Sequence, residues 1–65
     1  MNVFINNEPR ELPAGATLAD ALRVSDPPAV FATAVNLQFV PRGSYAEHTL
    51  GEGDRIEIIA PITGG

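Results

Sequence analysis

Few groups in this 65-residue chain could do chemistry. His48 is the one imidazole, and Glu47, Glu52 and Asp54 stand near it in the sequence. Together they could ligate a metal only if a loop folded all of them inward, whereas an exposed polar loop accounts for each of them singly. Ser25, Ser44 and Thr49 supply hydroxyls, but nothing in their spacing holds a base against a nucleophile, and turns or helix caps employ such residues anyway. "GEGD" at 51–54 has two glycines with neither a following lysine nor a helix start, so it is not a phosphate-binding loop. What remains is the last stretch, "PITGG". Glycine has no Cβ, so a narrow channel can close around its backbone, and a nucleophile or nucleotide can approach the carbonyl of Gly65 unobstructed. Those are properties of a useful acyl group, though two glycines by themselves better describe an ordinary frayed end.

Composition narrows the field further. A single domain of this length buries only about 60% of the surface its unfolded chain exposes. No cysteine is available to cross-link it, so aliphatic packing has to hold it together. An apolar fraction of 45% is high enough for a folded domain. Eight carboxylates face four arginines, Arg10, Arg23, Arg42 and Arg55, giving a net charge of −4 with no lysine at all. Such a surface repels a phosphate backbone, which argues against nucleic acid as a partner. The opening "MNVFINNEPRE" has neither a basic leader nor a long apolar run, so a cytoplasmic location is expected and membrane association is not.

The elements that would position the terminal glycines follow from local pattern. "NN" at 6–7 separates residues 1–5 from a second extended segment at 9–13, which predicts a hairpin with Val3, Ile5 and Leu12 on one side and Phe4 on the other. Thr17 begins a short helix with Asp20 as its capping-box partner, and Leu18, Ala21 and Leu22 form the apolar stripe. The helix is expected to end near Arg23 or Val24, before "SDPP". Two strands follow at 31–35 and 37–40, broken at Asn36. Tyr45, Ala46 and Leu50 are expected to anchor the long connection after them, and 51–54 reads as a tight turn. "RIEIIAP" closes the domain as a strand with Ile56 and Ile58 on one face and Arg55, Glu57 and Ile59 on the other.

In this order the elements predict an α+β domain, a β-grasp roll whose mixed sheet of four to five strands is covered on one face by one main helix. The domain is placed at residues 1–60, and residues 61–65 form a flexible diglycine tail. The uncovered sheet face would carry Phe4 and Ile59, with Phe39 a further member, and a contiguous apolar set there would call for a partner.

"AVN" at 34–36, "VPR" at 40–42, "YAEHTL" at 45–50, "GDRIEI" at 53–58 and the final "GG" together resemble the ThiS family, bacterial sulfur carriers of thiamin biosynthesis within the ubiquitin-like β-grasp group. "NNEPRELPAGATLADAL" is similar to the family's first hairpin, glycine turn and helix start, so the resemblance spans essentially the whole chain. It implies a protein that is not itself an enzyme but a co-substrate. The carboxylate of Gly65 would be adenylated by an E1-like partner of the ThiF type, converted to a thiocarboxylate with sulfur from a donor protein, and used by a thiazole synthase of the ThiG type. Gly64 and Thr63 would give access to it. Phe4, Ile59, Ile62, Phe39 and, more weakly, Arg42 would meet the partners. No cofactor is implied on this chain, with ATP and magnesium on the activating partner. Tyr45 stands where many members have tryptophan, and "PIT" before the glycines is similar to the molybdopterin-pathway carrier MoaD. A MoaD-like role and a ubiquitin-like modifier or binding domain are therefore the alternatives.

Overall fold

The computed structural model describes residues 1–61. Strands β1 (Asn2–Ile5) and β2 (Glu8–Glu11) form the expected hairpin. Its two turn residues, Asn6 and Asn7, adopt φ of 50° and 69°, the left-handed pair that a tight two-residue connection requires and that asparagine tolerates. Pro9 lies within β2, which is an edge strand and so tolerates the missing N–H.

Helix α1 (Leu18–Ser25) starts on a complete capping box. The Asp20 N–H donates to Thr17 Oγ1 at 3.3 Å, and the Thr17 N–H donates back to Asp20 Oδ2 at 3.0 Å. The helix runs past Arg23 and Val24 to Ser25. Proline restricts the residue before it, so Pro27 acts on Asp26, which takes a left-handed cap, and Ser25 is left helical.

Strands β3 (Ala32–Val35) and β4 (Gln38–Val40) form a second hairpin. Here the structure corrects the expected boundary. Leu37 is not in the strand but in the turn, where Asn36 and Leu37 have φ of 51° and 70°. A two-residue reversal needs both positions left-handed, and so leucine is carried there despite its Cβ. After β4 a 3₁₀ turn (Arg42–Ser44) leads into the long connection. Leu50 is buried and Tyr45 stacks on Phe31 with ring centroids 6.2 Å apart. Ala46, expected as an anchor, is exposed, since the turn that directs Tyr45 inward directs its neighbour out. The 51–54 turn is present, closed by the Asp54 N–H donating to the Gly51 carbonyl, with Gly53 at φ 81°.

Strand β5 (Arg55–Ile59) inserts at the centre of a five-stranded sheet of order β2-β1-β5-β3-β4, parallel to β1 and antiparallel to β3. Leu18, Ala21 and Leu22 of α1 pack with Val3, Ile5, Val35, Val40 and Ile56 from the inner face of the sheet. This is the expected mixed-sheet β-grasp fold. Thr33 is also fully buried on that face, and its hydroxyl has no partner among the described residues.

Hydrogen bonds from Thr17, first its backbone N–H and then its hydroxyl, hold the Asp20 carboxyl below the ordinary aspartate range, with Arg23 assisting. A carboxyl whose pKa is lower in the folded state stabilises the fold above its unfolded value of about 4, and that contribution disappears as pH falls through the lower folded value. The expected result is that stability measured by urea unfolding declines below about pH 4 less steeply in Asp20→Asn than in the unsubstituted chain.

Candidate functional site

The face of the sheet away from α1 is built by alternation along each strand. β5 contributes Arg55, Glu57 and Ile59; β3 contributes Ala32 and Ala34; β4 contributes Phe39; and β1 contributes Phe4. Register sets who adjoins whom. Ala34 lies opposite Glu57 on one side and Phe39 on the other, and Ala32 lies opposite Ile59. Phe39 is 69% exposed and Ile59 54%. The small side chains of Ala32 and Ala34 leave a low floor between these two projecting residues.

Phe4 shares the face but not this patch. It pairs in register with Arg55, whose guanidinium carbon sits 5.2 Å from the centroid of the Phe4 ring. That is cation–π distance, and it leaves the ring only partly exposed. Arg55 and Glu57 thus divide the face into an aromatic site under a cation near the start of β5 and an apolar patch toward its end. Alternation alone places all three apolar residues on one face, but it does not reveal that charges run between them. Leu37, 87% exposed, adds an apolar residue that a strand assignment also sets on the Phe39 side but does not place in a turn. The matching pattern of "INNEP" and "VNLQF", asparagine closing an apolar run, is the signal that would have found it.

Arg42 is exposed in the 3₁₀ turn beyond β4. Ile62, Thr63, Gly64 and Gly65 lie outside the described residues. The strand that leads to them is described, and it is held at both ends by asparagine side chains. At its start, Asn36 Oδ1 accepts from the Arg55 N–H at 3.0 Å. At its end, Asn6 Oδ1 accepts from the Ile58 N–H at 2.8 Å.

The polar groups with other possible chemistry are dispersed or already occupied. The carboxylate of Asp54 accepts from Gly51 and Asn36, and that of Glu52 accepts from the Asn2 N–H. Among the described residues, no three of His, Cys, Asp and Glu come together as a metal-holding group, and no helix is long and apolar enough to cross a membrane.

A model of the ThiS family matches residues 3–65. The chain is 35% identical over 66 aligned positions to the sulfur carrier protein ThiS of Escherichia coli (strain K12), covering all of both. It is 36% identical over 66 positions to a thiazole synthase of Paramagnetospirillum magneticum, where it spans 20% of that longer chain. Among solved structures, the crystal structure of the thiamine biosynthesis protein ThiS from Geobacter metallireducens superposes with a TM-score of 0.83 at 19% identity, each chain fully covered. A solution structure of a thiamine biosynthesis protein from the same organism gives 0.76, also at 19% identity, covering 100% of this chain and 88% of that one. At that identity the structural likeness speaks to the fold, whereas the family match and the full-length relative speak to descent. On that ground, the chain belongs to the ThiS family.

Proposed function

We propose that the chain is a sulfur carrier of thiamin biosynthesis whose working group is the carboxylate of Gly65. The observation that carries this reading is the full-length similarity to a relative that is itself named a sulfur carrier. The similarity to part of a thiazole synthase favours thiazole formation over the molybdopterin pathway. The protein is then a co-substrate of cytoplasmic enzymes rather than an enzyme.

The chemistry follows from what a carboxylate lacks. Oxide is a poor leaving group, so the carboxylate oxygen must first attack the α-phosphorus of ATP, releasing pyrophosphate and forming a mixed anhydride with AMP. A persulfide sulfur of a donor protein then adds to the carbonyl carbon, and AMP departs with the electron pair of the C–O bond it breaks. A thiolate of the donor or the activating partner next attacks the donor-side sulfur of the acyl disulfide, forming a protein disulfide and releasing the thiocarboxylate. The tetrahedral intermediate needs hydrogen-bond donors at its oxyanion, and a chain end supplies none of its own. ATP, magnesium and the oxyanion donors therefore belong to an E1-like activating partner of the ThiF type. The thiocarboxylate is then passed to a thiazole synthase of the ThiG type. The patch of Phe39 and Ile59 beside the end of β5 serves as the docking surface, with Ile62, which follows in the sequence, and with Phe4 and Arg42 as further contacts outside the patch.

Intact-mass measurement after incubation with ATP, magnesium, the activating partner and a sulfur donor tests this reading. Replacement of one oxygen by sulfur is the expected result. A product joined through an amide to another protein would favour the modifier reading instead. An unchanged mass would sink both.

A further inference from the structure

β5 is held on its β1 side by the backbone only as far as Ile56, whose carbonyl accepts from the Asn6 N–H at 2.8 Å. At Asn6 the chain turns away, so β1 has no further peptide group to offer. The Asn6 side chain takes over. Its Oδ1 accepts from the Ile58 N–H at 2.8 Å, and its Nδ2 donates to the Ile58 carbonyl at 3.4 Å. A carboxamide thus stands in for the missing peptide and extends the parallel ladder by one step. It can do so because the left-handed backbone of Asn6, at φ 50°, turns the side chain back toward β5.

Asn36 supplies an internal comparison. It occupies the same kind of turn, at φ 51°, and its side chain grips the start of the same strand, at Arg55 and Asp54. The two clasps are alike in chemistry and opposite in place. Only the one at Asn6 lies toward the end of β5 from which the chain continues to the terminal glycines.

We infer that Asn6 is a positioning residue, whose side chain anchors the β1 side of β5 at Ile58 and so steadies the base from which the terminal acyl group is presented to the activating partner. The inference rests on the carrier reading. Because the last hold on the β1 side is a side chain rather than backbone, one substitution releases it while leaving the ladder intact.

Asn6→Gly and Asn36→Gly make the test, since glycine accepts the left-handed backbone that both turns require. Two quantities are read: amide hydrogen exchange of Ile58, and the steady-state rate of ATP-dependent adenylation by the E1-like partner. In Asn6→Gly, Ile58 exchange is expected to rise about fivefold, and kcat to fall about tenfold or more with KM within about twofold, as misplacing a reacting group dictates. Asn36→Gly should lose comparable stability yet keep the kcat of the unsubstituted chain. Asn6→Asp retains an acceptor for the Ile58 N–H and a residue that tolerates the turn, and should recover most of the lost turnover. Equal kinetic losses in the two glycine variants would overturn the inference, as would freed Ile58 exchange with unchanged kcat. Failure of the unsubstituted chain to be adenylated at all would overturn the carrier reading, and this inference with it.

Discussion

Replacing Ile56 with alanine should remove about half of the stability of this protein. Ile56 is 1% exposed at the middle of the sheet, flanked in register by Ile5 and Val35, both of which belong to the same buried cluster as Leu18. Truncating such a residue costs about 2–5 kcal/mol, because the lost transfer energy is joined by the cost of a cavity the surroundings only partly fill. A domain of this size holds roughly 3–10 kcal/mol in total, at about 0.05–0.15 kcal/mol per residue. No cysteine is present to offset the loss with a disulfide. Urea unfolding should therefore show a midpoint lowered to about half that of the unsubstituted chain. Ile59→Ala, three residues along the same strand but 54% exposed, should change stability by no more than about 0.5 kcal/mol. Similar midpoints for the two variants would mean that the burial ascribed to Ile56 is wrong.

Deleting Gly65 should abolish adenylation without changing the fold. The shortened chain still ends in glycine, so the prediction isolates reach from residue type. Removing one residue withdraws the carboxylate by up to about 3.5 Å, and a displacement of 1 Å at a reacting atom can cost about 100-fold in rate. A loss of at least that size is expected in ATP–pyrophosphate exchange with the activating partner, while the urea midpoint stays where it was. Gly65→Ala asks the complementary question. It keeps the reach but places a Cβ beside the carbonyl, and a closely fitted channel should reject it. Adenylation of the shortened chain at an unaltered rate would show that the activated group is not the terminal carboxylate.

Much of the fold is legible in the residues themselves, where local rules and tertiary packing agree. Thr17 and Asp20 announce the helix start, the stripe of Leu18, Ala21 and Leu22 gives its buried face, and period-two alternation orients β5 correctly. Misreadings occur where one position must serve geometry against its own preference. Leu37 is apolar and reads as strand, yet the hairpin needs two left-handed residues and draws it into the turn. Ala46 is apolar and reads as an anchor, but its neighbour Tyr45 takes the inward direction. The exposed face is legible residue by residue but not as a surface, since alternation tells which side Phe4 occupies and is silent about Arg55 lying over it. The asparagine clasps are further still from the sequence, because they join positions about 19 and 52 apart in the chain. Nothing local marks a residue as the substitute for a peptide group in a strand it reaches only after folding.

The central place of β5 has a mechanical consequence. A partner that grasps the chain beyond Pro61 and draws it along the strand axis loads the bonds to parallel β1 and antiparallel β3 in shear, so that they must yield together rather than peel one after another. Forced unfolding is governed by the rate of crossing a barrier, and collective rupture raises that barrier. Had the terminal segment grown from an edge strand such as β4, the same tug would meet one ladder instead of two. A terminal segment rooted in a central strand is thus anchored on both sides against a pull from beyond Pro61.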